Sequence, residues 1–212
     1  MLRKGDVCYI IAIVLHTMNV TITNKLILEG HKGPVYDLLP LDETTFLSAG
    51  SDRLAVKWNN FNTDDGIVVA QSSESIYSFH IIKELNLLLI GQGSGGIHVV
   101  NLSTGKEERL LQLHTAPVFK VKSFPGLPYI FSLGGEGVLH ILNYDFELVH
   151  SLKLSDQKLR SIALHPQKEY ILIGNGEGKV ITIDPVDFKI IKIHQAHQEG
   201  FGVNVIQFTP DG

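Results

Sequence analysis

Early in the chain three residues carry the side chains of a hydrolytic triad: His31 an imidazole, Ser48 a hydroxyl and Asp52 a carboxylate. Their setting argues against that chemistry, because neither a nucleophile elbow nor an oxyanion donor accompanies Ser48. His194 and His197 lie three apart and could share a metal ion, but no third ligand is evident. Gly91-Gln92-Gly93-Ser94-Gly95-Gly96 has the glycines of a phosphate loop, yet it joins strand to strand rather than strand to helix. Asn62-Thr63-Asp64-Asp65-Gly66 lacks the alternating ligands and the distal glutamate of a calcium loop. No catalytic residue, metal set or cofactor site is assigned from these patterns.

The elements around these residues recur. With Asp52, six residues before Trp58, as anchor, the matching positions are Ser94 before Val100, Glu136 before Leu142 and Glu177 before Ile183, at steps of 42, 42 and 41 residues. In each unit an apolar strand runs into a Gly-rich tight turn and then a second apolar strand. A second anchor agrees: His31-Lys32-Gly33-Pro34-Val35-Tyr36 returns as His114-Thr115-Ala116-Pro117-Val118-Phe119, and more weakly at Asp156 and His197. In the first unit, strands are expected at Val35 to Leu39, Phe46 to Ala49, Ala55 to Trp58 and Ile67 to Ala70. In the second they are expected at Ile76 to Ile81, Leu87 to Ile90, Ile97 to Val100 and Leu110 to Leu113. No helical periodicity of useful length appears, so the expected fold is all-β and mostly antiparallel.

A period of roughly 40 to 45 residues with Gly-His and Trp-Asp punctuation resembles the WD-repeat β-propeller family. Gly30-His31 and Trp58-Asn59 carry the likeness best; later units have Val100, Leu142 and Ile183 in place of the tryptophan, and only the fourth keeps the closing acid, as Asp184. The resemblance implies four blades and the start of a fifth within residues 18–212, part of a seven-bladed ring. Residues 1–17 fall outside it as leader or tail, and the segment from Val20 to Leu28 would complete the last blade. It also implies that His31, Ser48, Asp52 and Trp58 form a buried structural network rather than a catalytic one. By the same resemblance, the residue after the first core position of each inner strand lies at the rim: Tyr36, Tyr77, Phe119, Arg160 and Asn204. Aromatic and arginine side chains are the types enriched at binding hot spots. The expected function is a non-catalytic scaffold for protein or peptide partners. The alternatives are a propeller enzyme of lactonase-like or quinoprotein-like type, and a sensor module fused to a further C-terminal domain.

Composition bounds the remaining choices. The 212 residues are 44% hydrophobic and 19% charged, an ordinary globular balance. Eighteen basic against 22 acidic residues, without a clustered basic run, disfavour nucleic acid as partner. A single cysteine, Cys8, excludes an internal disulfide and suits a reducing, cytoplasmic setting. Val7 to Leu15 is a nine-residue apolar run behind Arg3-Lys4, too short to span a bilayer. It has the length of a signal-peptide core but no small-x-small cleavage site, so export is the minority reading and Met18 is an alternative start. The segment from Val203 into Thr209-Pro210-Asp211-Gly212 reads as an inner strand entering a turn without its partner. That pattern leads to the expectation of a truncated ring, short by about 110 residues on a ~42-residue unit.

Overall fold

The computed structural model describes residues 28–59, 66–198 and 200–209. The expected strand segment at Val20 to Leu28 lies almost wholly outside them, as do the N-terminal apolar run, most of the Asn62 to Gly66 loop and the Pro-Asp-Gly turn.

Among the described residues sixteen strands form four antiparallel sheets of four, each a simple up-and-down meander. The first sheet holds β1 (Val35–Pro40), β2 (Thr45–Gly50), β3 (Leu54–Asn59) and β4 (Gly66–Gln71). The second holds β5 (Ile76–Ile82), β6 (Leu87–Gln92), β7 (Gly96–Asn101) and β8 (Glu107–Gln112). The third holds β9 (Val118–Ser123), β10 (Ile130–Gly134), β11 (Val138–Leu142) and β12 (Leu148–Lys153). The fourth holds β13 (Leu159–Leu164), β14 (Ile171–Asn175), β15 (Lys179–Ile183) and β16 (Ile190–Gln195). Among the described residues the only helical turn is a 3-10 turn, Lys83–Leu85.

The core lies between sheets rather than inside one. Leu88 and Ile90 of β6 pack with Leu47, Ala49 and Ala55 of the first sheet, while Leu87 and Leu89 of the same strand pack with Val118, Val121 and Ile130 of the third. A period-2 strand with apolar residues on both faces is the expected signature of an element covered on both sides. The third and fourth sheets join around Phe131, Leu133, Leu139, Ile141, Leu159, Ile171 and Ile173. The first strands of successive sheets touch one another, β1 to β5, β5 to β9 and β9 to β13. The fourth strands β4, β8, β12 and β16 are almost wholly exposed. That exposure explains a displaced strand expectation. The outer strand expected at Leu110 to Leu113 runs instead from Glu107 to Gln112, because an outer strand needs no apolar pattern to complete a ladder.

Asp37 ties three sheets together. From β1 its carboxylate accepts the Phe79 N–H of β5 at 2.8 Å and pairs with the Lys120 ammonium of β9 at 2.9 Å. Ser78 donates to the Val118 carbonyl across the next seam at 3.4 Å, and Ser161 donates to the Val203 carbonyl at 2.9 Å. The segment 200–209 thus lies along β13 much as β9 lies along β5. It is not a strand in the structure, since no ladder partner for it exists among the described residues.

The turn between the second and third strands of each sheet needs a left-handed residue. Gly95, Gly137 and Gly178 hold it with φ of +90°, +81° and +81°, whereas the first sheet uses Arg53 at φ +69°. An ordinary side chain pays roughly 1–2 kcal/mol for that conformation, partly offset by the extra chain entropy of a glycine replacement. Arg53→Gly should therefore raise stability by about 0.5–1 kcal/mol in urea melts, and Gly137→Ala should lower it, because a Cβ there would run into the Ser155 carbonyl.

His80 in β5 hydrogen-bonds Ser123 of β9 at 2.7 Å, and burial together with Lys122 and Lys120 pushes its imidazole down to about 4 from the usual 6.5. Between these values the unfolded chain binds the proton more readily than the folded one, so stability should fall as pH drops from about 6.5 to about 4. His80→Gln should flatten that part of a stability-versus-pH curve; an unchanged slope would place the titrating group elsewhere.

Candidate functional site

The structure brings His31, Ser48, Asp52 and Trp58 into one chain of hydrogen bonds. The Trp58 indole N–H has no acceptor role, so it donates to Ser48 Oγ at 2.7 Å. The Ser48 hydroxyl is then the donor to His31 Nε2 at 2.6 Å, and His31 Nδ1–H donates to the Asp52 carboxylate at 2.9 Å. Asp52 also accepts the backbone N–H groups of Lys32 at 2.9 Å and Leu54 at 3.3 Å. Burial pulls the Asp52 carboxyl up, but these bonds outweigh it and hold it below the usual 3.8. Ser48 is 2% exposed with its oxygen committed on both sides. The arrangement orders a strand, a loop and a turn; it does not present a hydroxyl to a substrate.

The corresponding positions in the other sheets solve the same packing problem in two ways. At the place of His31 stand Ser72, His114 and Ser155, and at the place of Gly50 stand Gln92, Gly134 and Asn175. Histidine goes with glycine and serine goes with an amide, since a ring and an amide would compete for one volume. In the third sheet His114 Nε2 meets Ser132 Oγ at 2.7 Å and Nδ1 meets Glu136 at 2.5 Å. A Cβ on Gly134 would collide with both His114 Nδ1 and Glu136 Oε2. In the second sheet Gln92 Oε1 accepts from Ser72 at 3.0 Å and from His98 at 2.8 Å. In the fourth, Asn175 donates to Ser155 at 2.9 Å and accepts the Glu177 and Lys179 N–H groups. Anchoring the sequence on Asp52 hides this alternation, which the His/Gly and Ser/amide pairing would have exposed.

Four of the five rim candidates form one continuous row. Tyr36 stacks on Tyr77 with centroids 4.6 Å apart and planes at 7°, Tyr77 meets Phe119 edge-on at 5.2 Å, and the Arg160 guanidinium lies over Phe119 at 4.9 Å. Each of the four is skipped in its ladder: the register shifts between Val35 and Asp37, between Ile76 and Ser78, opposite Phe119, and between Leu159 and Ser161. A bulge at the same point of every first strand re-aims one side chain out of the alternation. The row therefore packs across the seams between sheets and also reaches the surface, with Tyr36 42% exposed at its end. Burial and the neighbouring Tyr36 push the Tyr77 phenol above its usual value. Asn204 is exposed and shares no ring contact with the row.

His114 and His140 lie together in the third sheet, with ring centroids 4.5 Å apart. Burial lowers the pKa of both, against the opposing pull of Glu136. Two shallow concavities occur near His197, Gln198, Phe201 and Gly202, and along Asp156, Asn175, Glu177 and Lys179, where Lys179 and Glu177 are already paired at 2.7 Å. No helix of the described residues is long and apolar enough to cross a membrane.

Removing the Asp52 carboxylate strands the His31 N–H and the Lys32 N–H, so Asp52→Ala should cost about 1–3 kcal/mol and lower Tm by several degrees. Full stability in a thermal melt would rule out the network role of this residue. The held-down carboxyl contributes stability above its unfolded value of 3.8 and loses it as pH falls through the lower folded value. The gap between wild type and Asp52→Asn should accordingly narrow below about pH 4.

No family model and no curated protein matches the chain. Among solved structures it is similar to the computationally designed protein Ika8, with a TM-score of 0.69 at 19% sequence identity over 86% of this chain. The chain spans 55% of the length of that protein. Solved chains that match number 1376, so the likeness speaks for a widely used fold and for no particular activity.

Proposed function

We propose that the four sheets are consecutive blades of a WD-repeat β-propeller, and that the protein is a non-catalytic scaffold that holds a protein or peptide partner on the face carrying Tyr36, Tyr77, Phe119 and Arg160. The observation that carries this reading is the bulge repeated in all four first strands, which sets three aromatic rings and a guanidinium side by side. Aromatic rings held rigid by their neighbours lose little conformational entropy on binding, and arginine supplies a fork for carbonyls or carboxylates. The ring reading is supported by first strands that succeed one another in contact and by hydrophobic clusters that each bridge two consecutive sheets. A protein whose Ser48, His31 and Asp52 are committed to one another, with its hot-spot residue types gathered on one face, is suited to capture rather than to turnover.

The test uses peptides selected from a display library on the intact chain. Substituting Tyr36, Tyr77 and Arg160 together by alanine should weaken their binding at least roughly tenfold, the loss of about 1.4 kcal/mol or more expected at a hot spot. The stacked pair contributes about 0.5–1.5 kcal/mol beyond the area it buries, and Tyr36 is already exposed, so the variant should still melt cooperatively. Undiminished binding by a folded variant would move the site away from this row.

A further inference from the structure

His114, Glu136 and His140 each bring a ligand atom within 4.8 Å of the other two. Two atoms of the group, Glu136 Oε2 and His140 Nδ1, are buried without any hydrogen-bond partner. Buried polar atoms are almost always satisfied, so two in one small cluster need an explanation. We propose that these three residues bind a divalent transition-metal ion, zinc by its ligand chemistry, with the fourth position open to water. Two imidazoles and one carboxylate are a nitrogen and oxygen set that zinc accepts with three protein ligands and one free position.

The contrast with the first sheet shows why the third can do this. There the Asp52 carboxylate, which can only accept, holds the proton on His31 Nδ1, so Nε2 takes the Ser48 hydroxyl proton while Trp58 donates to the same oxygen. In the third sheet Leu142 stands at the place of Trp58, so no indole donates to Ser132 Oγ, and without a metal ion Glu136 holds the proton on His114 Nδ1. The His114 proton can therefore move from Nδ1 to Nε2, where Ser132 Oγ accepts it, leaving the Nδ1 lone pair for the metal. The proton stays on the same ring, and the ion takes the place of the Nδ1–H bond to Glu136. Gly134 leaves room beside both ligand atoms, since a Cβ there would occupy the space between strand and cluster. Glu136 keeps 21% of its side chain exposed, which gives the ion a way in. Tetrahedral bonds of about 2.0–2.2 Å set ligand atoms roughly 3.3–3.6 Å apart, so binding opens the 2.5 Å approach of His114 Nδ1 to Glu136 Oε1 and closes any wider gap, a move made by rotation of the His140 and Glu136 side chains.

The experiment titrates zinc chloride into the full chain and follows the histidine side-chain nitrogens by NMR alongside the melting temperature. One equivalent should shift the Nδ1 resonances of His114 and His140 and raise Tm, and EDTA should reverse both. His140→Ala should lose the rise in Tm and weaken zinc binding at least roughly tenfold, whereas His194→Ala with His197→Ala should bind as wild type does. Resonance shifts confined to other histidines, no binding at all, or wild-type affinity in a folded His140→Ala variant would each overturn the proposal. Should that variant fail to fold, the nitrogen spectra of the unsubstituted chain decide it.

Discussion

A sheet of four short strands has two faces and cannot bury either by itself; every sheet in this chain depends on its neighbours for a core. The three hydrophobic clusters lie between consecutive sheets, and strands such as β6 divide alternate residues between the two sides. Stability in such an arrangement approximates a sum of nearest-neighbour interfaces. The polar bridges follow the same logic. Asp37 reaches the second and third sheets from the first, and Ser78 and Ser161 each cross one seam.

Within each sheet a second constraint operates at the turn end, where strand, loop and hairpin meet around one small polar volume. The first and third sheets fill it with a histidine over a glycine, the second and fourth with an amide over a serine. Each solution satisfies most of its buried groups. The third sheet is the exception, with Glu136 Oε2 and His140 Nδ1 buried beside His114 without a hydrogen-bond partner.

Much of the architecture was legible in the sequence because burial imposes alternation. Leu87 to Ile90 and Ile171 to Ile173 announce inner strands, and Asp52, Ser94, Glu136 and Glu177 mark equivalent turns. Outer strands were less legible, and β8 starts earlier than its apolar residues suggest, because exposed ladders impose no pattern. The first-sheet network could be named from residue types, since Trp58, Ser48, His31 and Asp52 have few other ways to satisfy one another. The residues from Tyr36 to Arg160 share one bulge position of the first strands, and their ring-on-ring packing across sheets arises from bulges that no single-residue pattern announces. His140 gave no signal at all: it sits in β11 like any strand residue, and its importance comes only from the ring opposite it.

The chain contains a single tryptophan, and it is the indole of the first-sheet network, 4% exposed and layered on Phe46 at 6.2 Å. Its emission therefore belongs to one sheet of the four. The protein carries a built-in optical reporter whose colour follows the hydration of Ser48 and His31 and stays blind to what happens in the sheets beyond.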